Sequence, residues 1–427
     1  GYNGSENFTP KNRYGFFPSV GLGWVISNES FFEPLTNVIQ YLKVRGTWGQ
    51  VGNSQISGRR FAYLATVTDS SSTSYTFGKN MDQNYGTTAI DEYAVDVTWE
   101  VADKTDIGVD MRLLNNKLNL QFDYFKESRE GIYLRRSSIP SYVGMINNPY
   151  GNIGKVENKG FELSVNYANS WGGDWSLSLM GNYSFNRNKV LEDDSTVVYP
   201  WQNTIGNKVG QRFGLVALGL FESYGEIAAS PVQPGDPRPG DIKYKDINGD
   251  GKIDEYDKVP IGWGSVPEIM YGFGFSLGWK NLSLTAMFQG AAHVDAMLSG
   301  EGVLPFSQGS SRGNLLSNIT DRWTEENPRQ NAFYPRLSIG NINMNYEEST
   351  WWLKDPDYLR LKNIELPYRL PDHWMKRIHL DNARIFIQGV NLLTFSSFKI
   401  WDVELGDGRG ARYPNIASVS LGVNFNF

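Results

Sequence analysis

The sequence predicts an all-β protein, a transmembrane antiparallel β-barrel, and the prediction starts from the segment at residues 417–427. This segment, ASVSLGVNFNF, has an apolar residue at every second position and Ser, Gly or Asn between them. A period of two gives a strand one apolar face and one polar face. At about 3.3 Å per residue and roughly 45° of tilt, eleven residues cover about 25 Å, the height of the apolar band of an outer-membrane barrel.

The second observation is that the same alternation recurs along the chain and predicts eleven strands. In most of them one parity is apolar and the other is small or polar, which suits a wet lumen. The weakest is 357–368, where the apolar parity slips between Leu361 and Ile364 and predicts a bulge, and where Pro367 lacks a ladder donor. The predicted strands cover residues 16–26, 40–50, 103–113, 117–129, 158–168, 174–187, 267–279, 281–290, 357–368, 382–395 and 417–427.

The third observation is that the connections alternate in length. Those at 114–116, 169–173 and Lys280 are tight turns, and 27–39 and 369–381 are of moderate length. Structureless loops as long as the remaining ones would count against a compact soluble domain. Short periplasmic turns and long extracellular loops are instead typical of an outer-membrane barrel. The long connections are 51–102, 130–157, 188–266, 291–356 and 396–416.

The tryptophans near the predicted strand ends support the same fold, because aromatic girdles flank the apolar band of such barrels. Capping of a soluble core would be the alternative use of these side chains. The residues are Trp24, Trp48, Trp171, Trp175 and Trp279.

Composition excludes several other classes of protein. The mean hydropathy of −0.41 and the lack of an apolar run near 18 residues exclude a transmembrane helix, although barrel strands also keep the average low. The chain has no cysteine, so disulfide scaffolding is excluded. A net charge of −6 argues against a nucleic-acid partner.

Strand direction predicts that the chain is part of a larger barrel. If the last strand ends in the periplasm, counting back makes 16–26 a descending strand and puts residues 1–15 outside the cell. Single-chain bacterial barrels have an even number of strands. We therefore expect residues 1–427 to be the C-terminal portion of one longer barrel, with any plug domain and the earlier strands outside this sequence.

A twelve-residue segment at 246–257 matches a calcium loop of the EF-hand type. Gly251 at position 6 allows the sharp turn, and position 12 carries Asp257 where glutamate is usual. Four carboxylates on twelve residues repel one another unless a hard cation lies among them. We expect a structural calcium ion, with magnesium as an alternative, in an extracellular connection; the other reading is an acidic turn that binds nothing. The predicted ligands are Asp246, Asn248, Asp250, the backbone carbonyl of Lys252, Asp254 and Asp257.

The search for catalytic motifs finds no GxSxG, no HExxH and no phosphate-binding loop, so the sequence does not predict an enzyme. Aromatic residues in the long connections are candidates for stacking on sugar rings. For each of them, packing of one loop on another is the competing role. They are Trp201, Trp263, Trp351, Trp352, Trp401 and Tyr413.

Several segments, spread over nearly the whole chain, resemble the SusC/RagA-type TonB-dependent transporters. They include FFPSVGLGWVISNESFF (16–32), LKVRGTWGQVGNSQI (42–56), PGDIKYKDINGDGKIDEYDKVPIG (239–262), YLRLKNIEL (358–366) and NLLTFSSF (391–398). One departure is Pro367-Tyr368-Arg369, where the family usually has Gly-Tyr-Thr.

The resemblance implies a 22-stranded barrel with an N-terminal plug, in the outer membrane of a Gram-negative, Bacteroidetes-type bacterium. It implies a SusD-like surface lipoprotein as a lid, energy relayed by TonB, and a possible dimer of transporter–lipoprotein pairs. The expected function is import of oligosaccharides. The alternatives are import of oligopeptides, a passive porin, and a secreted calcium-dependent adhesin or enzyme of β-sandwich type.

Overall fold

The computed structural model describes residues 1–427 apart from 57–59, 82, 301, 307–314, 341–342, 378–379 and 427. Within that part, eleven strands form one antiparallel sheet in which each strand pairs with its neighbours along the chain. The sheet is open, with β1 and β11 at its edges. The strands are β1 (Ser19–Val25), β2 (Ile39–Asn53), β3 (Glu100–Leu113), β4 (Leu118–Arg135), β5 (Tyr150–Trp171), β6 (Trp175–Glu192), β7 (Ile269–Trp279), β8 (Leu282–Ala292), β9 (Tyr358–Arg369), β10 (Asn382–Ser396) and β11 (Ser418–Asn426).

All eleven predicted strands are present, so the all-β antiparallel prediction is confirmed. The largest difference is in length, because β4, β5 and β6 continue well beyond the predicted ends toward the long connections. In these extensions the backbone ladder persists although the apolar alternation has ended. Residue 427 of the last predicted strand lies outside the described residues.

The register brings the apolar residues of neighbouring strands onto one face of the sheet and the polar residues onto the other. One row of the apolar face consists of Val44, Val109, Phe122, Leu163, Tyr183 and Tyr271. The adjacent row of the polar face consists of Arg45, Gly108, Asp123, Glu162 and Ser184. The β-sandwich alternative is wrong, because the apolar residues belong to a single large sheet.

The turns on one end of the sheet are short and those on the other end are long, as predicted. Trp24, Trp171, Trp175 and Trp279 lie at the short-turn end on the apolar face, and the rings of Trp175 and Trp279 are 6.0 Å apart. Trp48 pairs with Val20 and lies toward the other end. The long connections cover residues 54–99, 136–149, 193–268, 293–357 and 397–417.

The predicted bulge is present in β9. Both of its ladders shift between Leu361 and Asn363: against β8 the extra residue is Lys362 of β9, whereas against β10 the extra residue belongs to β10, between Val390 and Leu393. Pro367 pairs with Phe386 of β10, so the β9–β10 ladder continues through it. On the β8 side, the ladder has no pair between Glu365 and Tyr368. The missing proline donor therefore falls on the β8 side of the strand.

The connections and the segment before β1 contain structure of their own. In the described residues no helix is long and apolar enough to cross a membrane. Two short α-helices, α1 (Tyr224–Ala229) and α2 (Asp372–Arg377), occur. The additional strands are Tyr2–Gly4, Tyr14–Phe16, Thr66–Phe77, Gln83–Glu92, Arg212–Gly214, Ala217–Leu220, Ile242–Tyr244, Val259–Ile261, Ala296–Met297 and Leu353–Lys354. The 3₁₀ turns are Ile26–Asn28, Ser30–Leu35, Ser141–Val143, Pro200–Gln202, Glu255–Asp257, Ser317–Thr320, Met344–Tyr346 and Val403–Leu405.

The main hydrophobic core lies in these connections, not between the strands of the sheet. It is built largely from the segments 193–268, 293–357 and 397–417, which pack against one another as one layer, here called the loop layer. Its fully buried members include Leu215, Ile242, Ile253, Leu298 and Trp352. The sequence patterns predicted the lengths of these connections but not this core.

Candidate cation and substrate sites

The acidic segment 246–257 lies in the loop layer and is curled by its own side chains. The Asp246 carboxylate accepts hydrogen bonds from the backbone N–H groups of Gly249 (2.7 Å) and Gly251 (2.9 Å). Asn248 Oδ1 accepts from Asp250 N at 3.0 Å, and Asp250 Oδ1 from Lys252 N at 2.9 Å. These turns, in which a side-chain oxygen bonds a backbone amide two or more residues on, require a tight backbone. Gly249 and Gly251 accordingly have φ of +76° and +82°.

Asp257 joins the two ends of this segment. Its Oδ1 accepts from Ile247 N at 2.7 Å and its Oδ2 from Asp254 N at 2.8 Å, and the residue is fully buried. Asp254 in turn caps the next 3₁₀ turn by accepting from Tyr256 N at 2.8 Å. The shorter aspartate at position 12 thus reaches backbone donors at both ends of the loop.

The charge of this segment is not balanced by nearby lysines. Lys243 and Lys258 pair with Glu226 and Glu255, and none of the four aspartates forms an ion pair with any described side chain. A buried carboxylate without a counter-charge is unfavourable. Nowhere in the described chain do three or more His, Asp or Glu side chains cluster tightly enough to hold a metal ion by themselves. A cation here would therefore also need the Asn248 amide and the Lys252 carbonyl, oxygen donors that suit calcium.

Trp201 lies against the end of the acidic segment. Its Nε1 donates to the backbone oxygen of Tyr256 at 2.9 Å, and its ring stacks on Tyr199 with centroids 4.6 Å apart. Gln202 adds a hydrogen bond from Nε2 to Glu255 O at 2.9 Å. The acidic segment and a half-buried aromatic pair are therefore held together.

The other aromatic candidates occupy separate places. Trp263 is 41% exposed and stacks on His293 at 4.0 Å. Tyr413 is also exposed, so both could present a ring to a ligand. Trp351 and Trp401 are half-buried, and their Nε1 atoms donate to Phe333 O at 3.3 Å and Gly406 O at 3.2 Å. Among the described ring contacts, none joins two of the six candidates.

Trp352 is the one aromatic candidate that the structure removes. Its side chain is 1% exposed, and Nε1 donates to Asn345 O at 2.7 Å. It packs in the core of the loop layer because the neighbouring buried residues surround it. The prediction that Trp352 contacts substrate is therefore wrong.

Sequence reasoning missed an ionic cluster around Glu268, just before β7. The carboxylate accepts from Arg187 Nε (2.8 Å) and Nη2 (2.7 Å), from Lys208 Nζ (2.7 Å), and lies 3.2 Å from His293 Nδ1. Burial alone would raise the pKa of Glu268, but the hydrogen bonds from Arg187 and Lys208 outweigh it and lower the pKa to about 2. No local motif signals this cluster, since Arg187 comes from β6, Lys208 and Glu268 lie 60 residues apart in the connection 193–268, and His293 begins the next connection.

Two clefts are large enough for a small oligomeric ligand. The first, about 710 Å³, lies in the loop layer and combines the aromatic rings of Phe333 and Phe398 with polar groups. The second, about 670 Å³, includes polar-face residues of β4–β6 and the segment 208–211. The first cleft is lined by Leu316, Ser317, Asn318, Asp321, Phe333, Lys354, Asp355, Ser397, Phe398, Lys399 and Ile400.

Comparison with known proteins decides the family. Residues 1–392 match the family described as "TonB dependent receptor-like, beta-barrel". The chain belongs to this family. The resemblance to SusC/RagA-type TonB-dependent transporters and the outer-membrane location are thereby confirmed, and this TonB-dependent receptor barrel is a member of a receptor family, not of an enzyme family.

Two relatives show how much of such a receptor this barrel represents. TonB-dependent receptor P3 of Formosa agariphila is 29% identical over 452 residues, covering 99% of this chain and 43% of that protein. TonB-dependent receptor SusC of Bacteroides thetaiotaomicron is 27% identical over 444 residues, covering 100% of this chain and 41% of that protein. This receptor barrel thus spans less than half the length of these relatives.

A solved structure matches the fold of this receptor barrel. The RagAB peptide importer in its "closed-closed" state superposes with a TM-score of 0.75 at 22% identity, covering 100% of this chain and 45% of that one. At this identity the likeness establishes the fold, which agrees with the open eleven-stranded sheet.

Proposed function

We propose that the whole protein imports oligosaccharides across the outer membrane, with energy relayed by TonB and with a SusD-like lipoprotein as its lid. The observation that carries the proposal is the cleft of about 710 Å³ in the loop layer. Two aromatic rings, Phe333 and Phe398, lie among hydroxyl, amide and charged side chains there. Ligand pockets commonly combine aromatic surface with a few placed polar groups, and a sugar offers both an apolar ring face and hydroxyls.

In this proposal the sheet is a scaffold and the loop layer captures the ligand. Arg360, which is buried on the polar face, donates to both carboxylate oxygens of Asp402 at 3.0 Å and so ties the segment 397–417 to β9. Lys399 and Ser397 of the cleft belong to that same segment. The cleft is therefore attached to the barrel wall, and a movement of the wall would be transmitted to it.

The experiment is uptake of defined oligosaccharides and peptides by cells that carry the full-length receptor. We expect Asn318→Ala combined with Lys399→Ala to reduce oligosaccharide uptake several-fold at an unchanged level of protein. Tyr142→Ala, an exposed residue in a different connection, is the control and should leave uptake unchanged. Extraction in detergent should copurify a lipoprotein together with bound glycan.

Three results would contradict this proposal. A copurifying peptide instead of a glycan would assign peptide import. Uptake that persists without TonB would indicate a passive porin. Normal oligosaccharide uptake by the Asn318/Lys399 variant would show that the cleft does not bind the imported ligand.

The proposal also assigns a structural calcium ion to the segment 246–257. Its support is the buried Asp257 without a counter-charge and the oxygen donors gathered around the loop. If bound, the ion would neutralise these carboxylates and hold the Trp201–Tyr199 pair against the loop. We expect chelation to make the connection 193–268 sensitive to protease without lowering the thermal stability of the barrel.

The matched variants are Asp246→Asn with Asp250→Asn, and Glu255→Gln as the control outside the ligand positions. We expect the double variant to be cleaved in the presence of calcium, as the wild type is after chelation, while Glu255→Gln behaves like the wild type. Re-addition of calcium or of magnesium to the chelated protein distinguishes the two ions. If the connection 193–268 is equally resistant to protease before and after chelation, a structural ion is contradicted.

A further inference from the structure

Three basic residues form one register row on the apolar face of the sheet. Lys126 of β4 pairs with Lys159 of β5, and Lys159 pairs with Arg187 of β6. We call these three residues the basic row. The row next to it on the same face, toward the short-turn end, is aromatic and consists of Tyr124, Phe161 and Phe185.

The basic row lies at the height where the apolar band ends. On β6, twelve residues separate Arg187 from Trp175, which lies at the short-turn end. At about 3.3 Å per residue and a tilt of roughly 45°, this corresponds to about 28 Å, slightly more than the apolar band of about 25 Å. The row is thus at the outer-leaflet interface, and the Arg187 guanidinium carbon is 5.4 Å from the Phe185 ring centroid just below it.

The cations of the row are more exposed than the carboxylates that partner them. The side chains of Lys126, Lys159 and Arg187 are 50%, 55% and 45% exposed. Glu157 pairs with both lysines, at 2.9 and 3.5 Å, and Glu268 pairs with Arg187. Both glutamates are much less exposed, at 19% and 3%. One carboxylate serves two lysines, so the outward surface carries excess positive charge.

Two further carboxylates lie close by but do not cancel this charge at the surface. Asp295 accepts from the backbone N–H groups of Trp263 and Gly264 and is buried. Asp357 accepts from His293 N at 3.2 Å. Lys189, which pairs in register with Glu157 one row farther out, adds another exposed cation.

We propose that the basic row binds the phosphate groups of outer-leaflet lipid headgroups. Lipid phosphates are the anions expected at this depth, and clustered Lys and Arg residues at a membrane surface attract them. With strands about 4.8 Å apart, the row spans about 10 Å, so it can contact more than one phosphate. The aromatic row beneath it contacts the acyl region of the same lipid, as aromatic side chains do at membrane interfaces.

The test uses the full-length receptor in detergent and lipid A as the probe, with native mass spectrometry counting the bound lipid. We expect Lys126→Gln with Lys159→Gln and Arg187→Gln to weaken binding of lipid A by about tenfold or more, because each cation near an anionic surface contributes about fivefold. Lys126→Gln with Lys159→Gln retains the Arg187–Glu268 pair. This smaller variant should still show a loss of several-fold if the triple variant assembles poorly.

The matched control is Lys104→Gln with Arg129→Gln. These two cations pair with Glu127 on the polar face of the neighbouring strands, at about the same height as the basic row. We expect this control to bind lipid A like the wild type. Three results would overturn the proposal: wild-type binding by the variants of the row, equal binding of dephosphorylated lipid A, or complete displacement of lipid A by inorganic phosphate, which would assign a site for free anions.

Discussion

A single arginine organises part of the polar face. Arg45 on β2 donates to Asp106 at 2.9 Å, lies 3.6 Å from Asp110, and also pairs with Asp123 of β4. The guanidinium crosses from one strand to another over Gly108, where a Cβ would collide with Arg45 and Asp123. The backbone of Gly108 is not in the left-handed region, so what a larger residue would disturb there is the position of the Arg45 and Asp123 side-chain ends.

We predict that Gly108→Ala displaces the Arg45 guanidinium and lowers the free energy of unfolding by about 1–3 kcal/mol, the usual effect of overpacking. Gly46→Ala on the adjacent strand is the control, because its Cβ would meet nothing closer than Asp106 O at 4.0 Å. The urea midpoint of the purified protein in detergent measures both changes. Equal midpoints for the two variants would contradict this account of Gly108.

The second prediction at the residue scale concerns pH and Glu268. The pKa of this buried carboxyl is lowered from 4.5 to about 2. The ionised form is therefore favoured by folding, with a stabilisation of about 3 kcal/mol that is complete above pH 4.5 and is lost as the pH falls toward 2. We expect pepsin to cleave the connection 193–268 faster as the pH falls from 4.5 to 2.

Glu268→Gln should be cleaved quickly throughout that range, because the variant has no carboxylate to lose. The control is Glu255→Gln, an exposed residue of the same connection, which should follow the wild type. A wild-type cleavage rate that stays constant between pH 4.5 and 2 would show that the ion pairs of Glu268 do not hold this connection.

At the scale of elements, the bulge in β9 sets which residues face the loop layer. Lys362, the extra residue of β9 against β8, shifts the parity of the strand, and Arg360 on its far side is thereby buried against Asp402 and Glu404. We predict that deletion of Lys362 moves Arg360 to the apolar face and prevents assembly of the barrel. Lys362→Ala keeps the bulge and should assemble. The two variants are compared by whether the barrel stays folded in detergent before it is heated. A Lys362 deletion variant that assembles normally would refute the role of the bulge.

The elements also show what the sequence could predict. The strands and the bulge could be predicted from the alternation of apolar and polar residues, because successive residues of a strand point to its two different faces. The parts of β4, β5 and β6 nearest the long connections lack that alternation, and Tyr133 at the end of β4 packs instead in a hydrophobic cluster with residues of other segments such as Phe8 and Trp99. The core around Leu215 and Ile242 could not be predicted because its members come from separate connections, each too irregular to show a period.

The candidate sites divide in the same way. The calcium prediction for the segment 246–257 could be made because all its candidate oxygen donors lie within twelve residues, and it stays a prediction. The ionic cluster of Glu268 with Arg187, Lys208 and His293 exists only after β6 and two separate connections have packed together. Trp352 was assigned wrongly because a tryptophan in a polar connection has the same sequence signature whether it is exposed or buried.

At the scale of the whole molecule, the two faces of the sheet differ in what they tolerate. Val165 on β5 is on the apolar face, six residues from Trp171, which corresponds to about 14 Å and so to the middle of the apolar band. We predict that Val165→Arg costs about 2–4 kcal/mol and reduces insertion into the outer membrane. Ser164→Arg, one residue away on the polar face, should insert normally. Equal amounts of the two variants in membrane fractions would contradict the assignment of the faces.

The core of the loop layer has a consequence for biogenesis. Its three main segments are separated in the sequence by pairs of strands, so they can pack against one another only after those strands have paired in the sheet. The loop layer is thus completed last. An antibody against a discontinuous epitope on the loop layer would therefore bind, on living cells, only receptors whose insertion is complete. Assembly intermediates whose strands have not all paired would not bind the antibody, although their full polypeptide had already been synthesised.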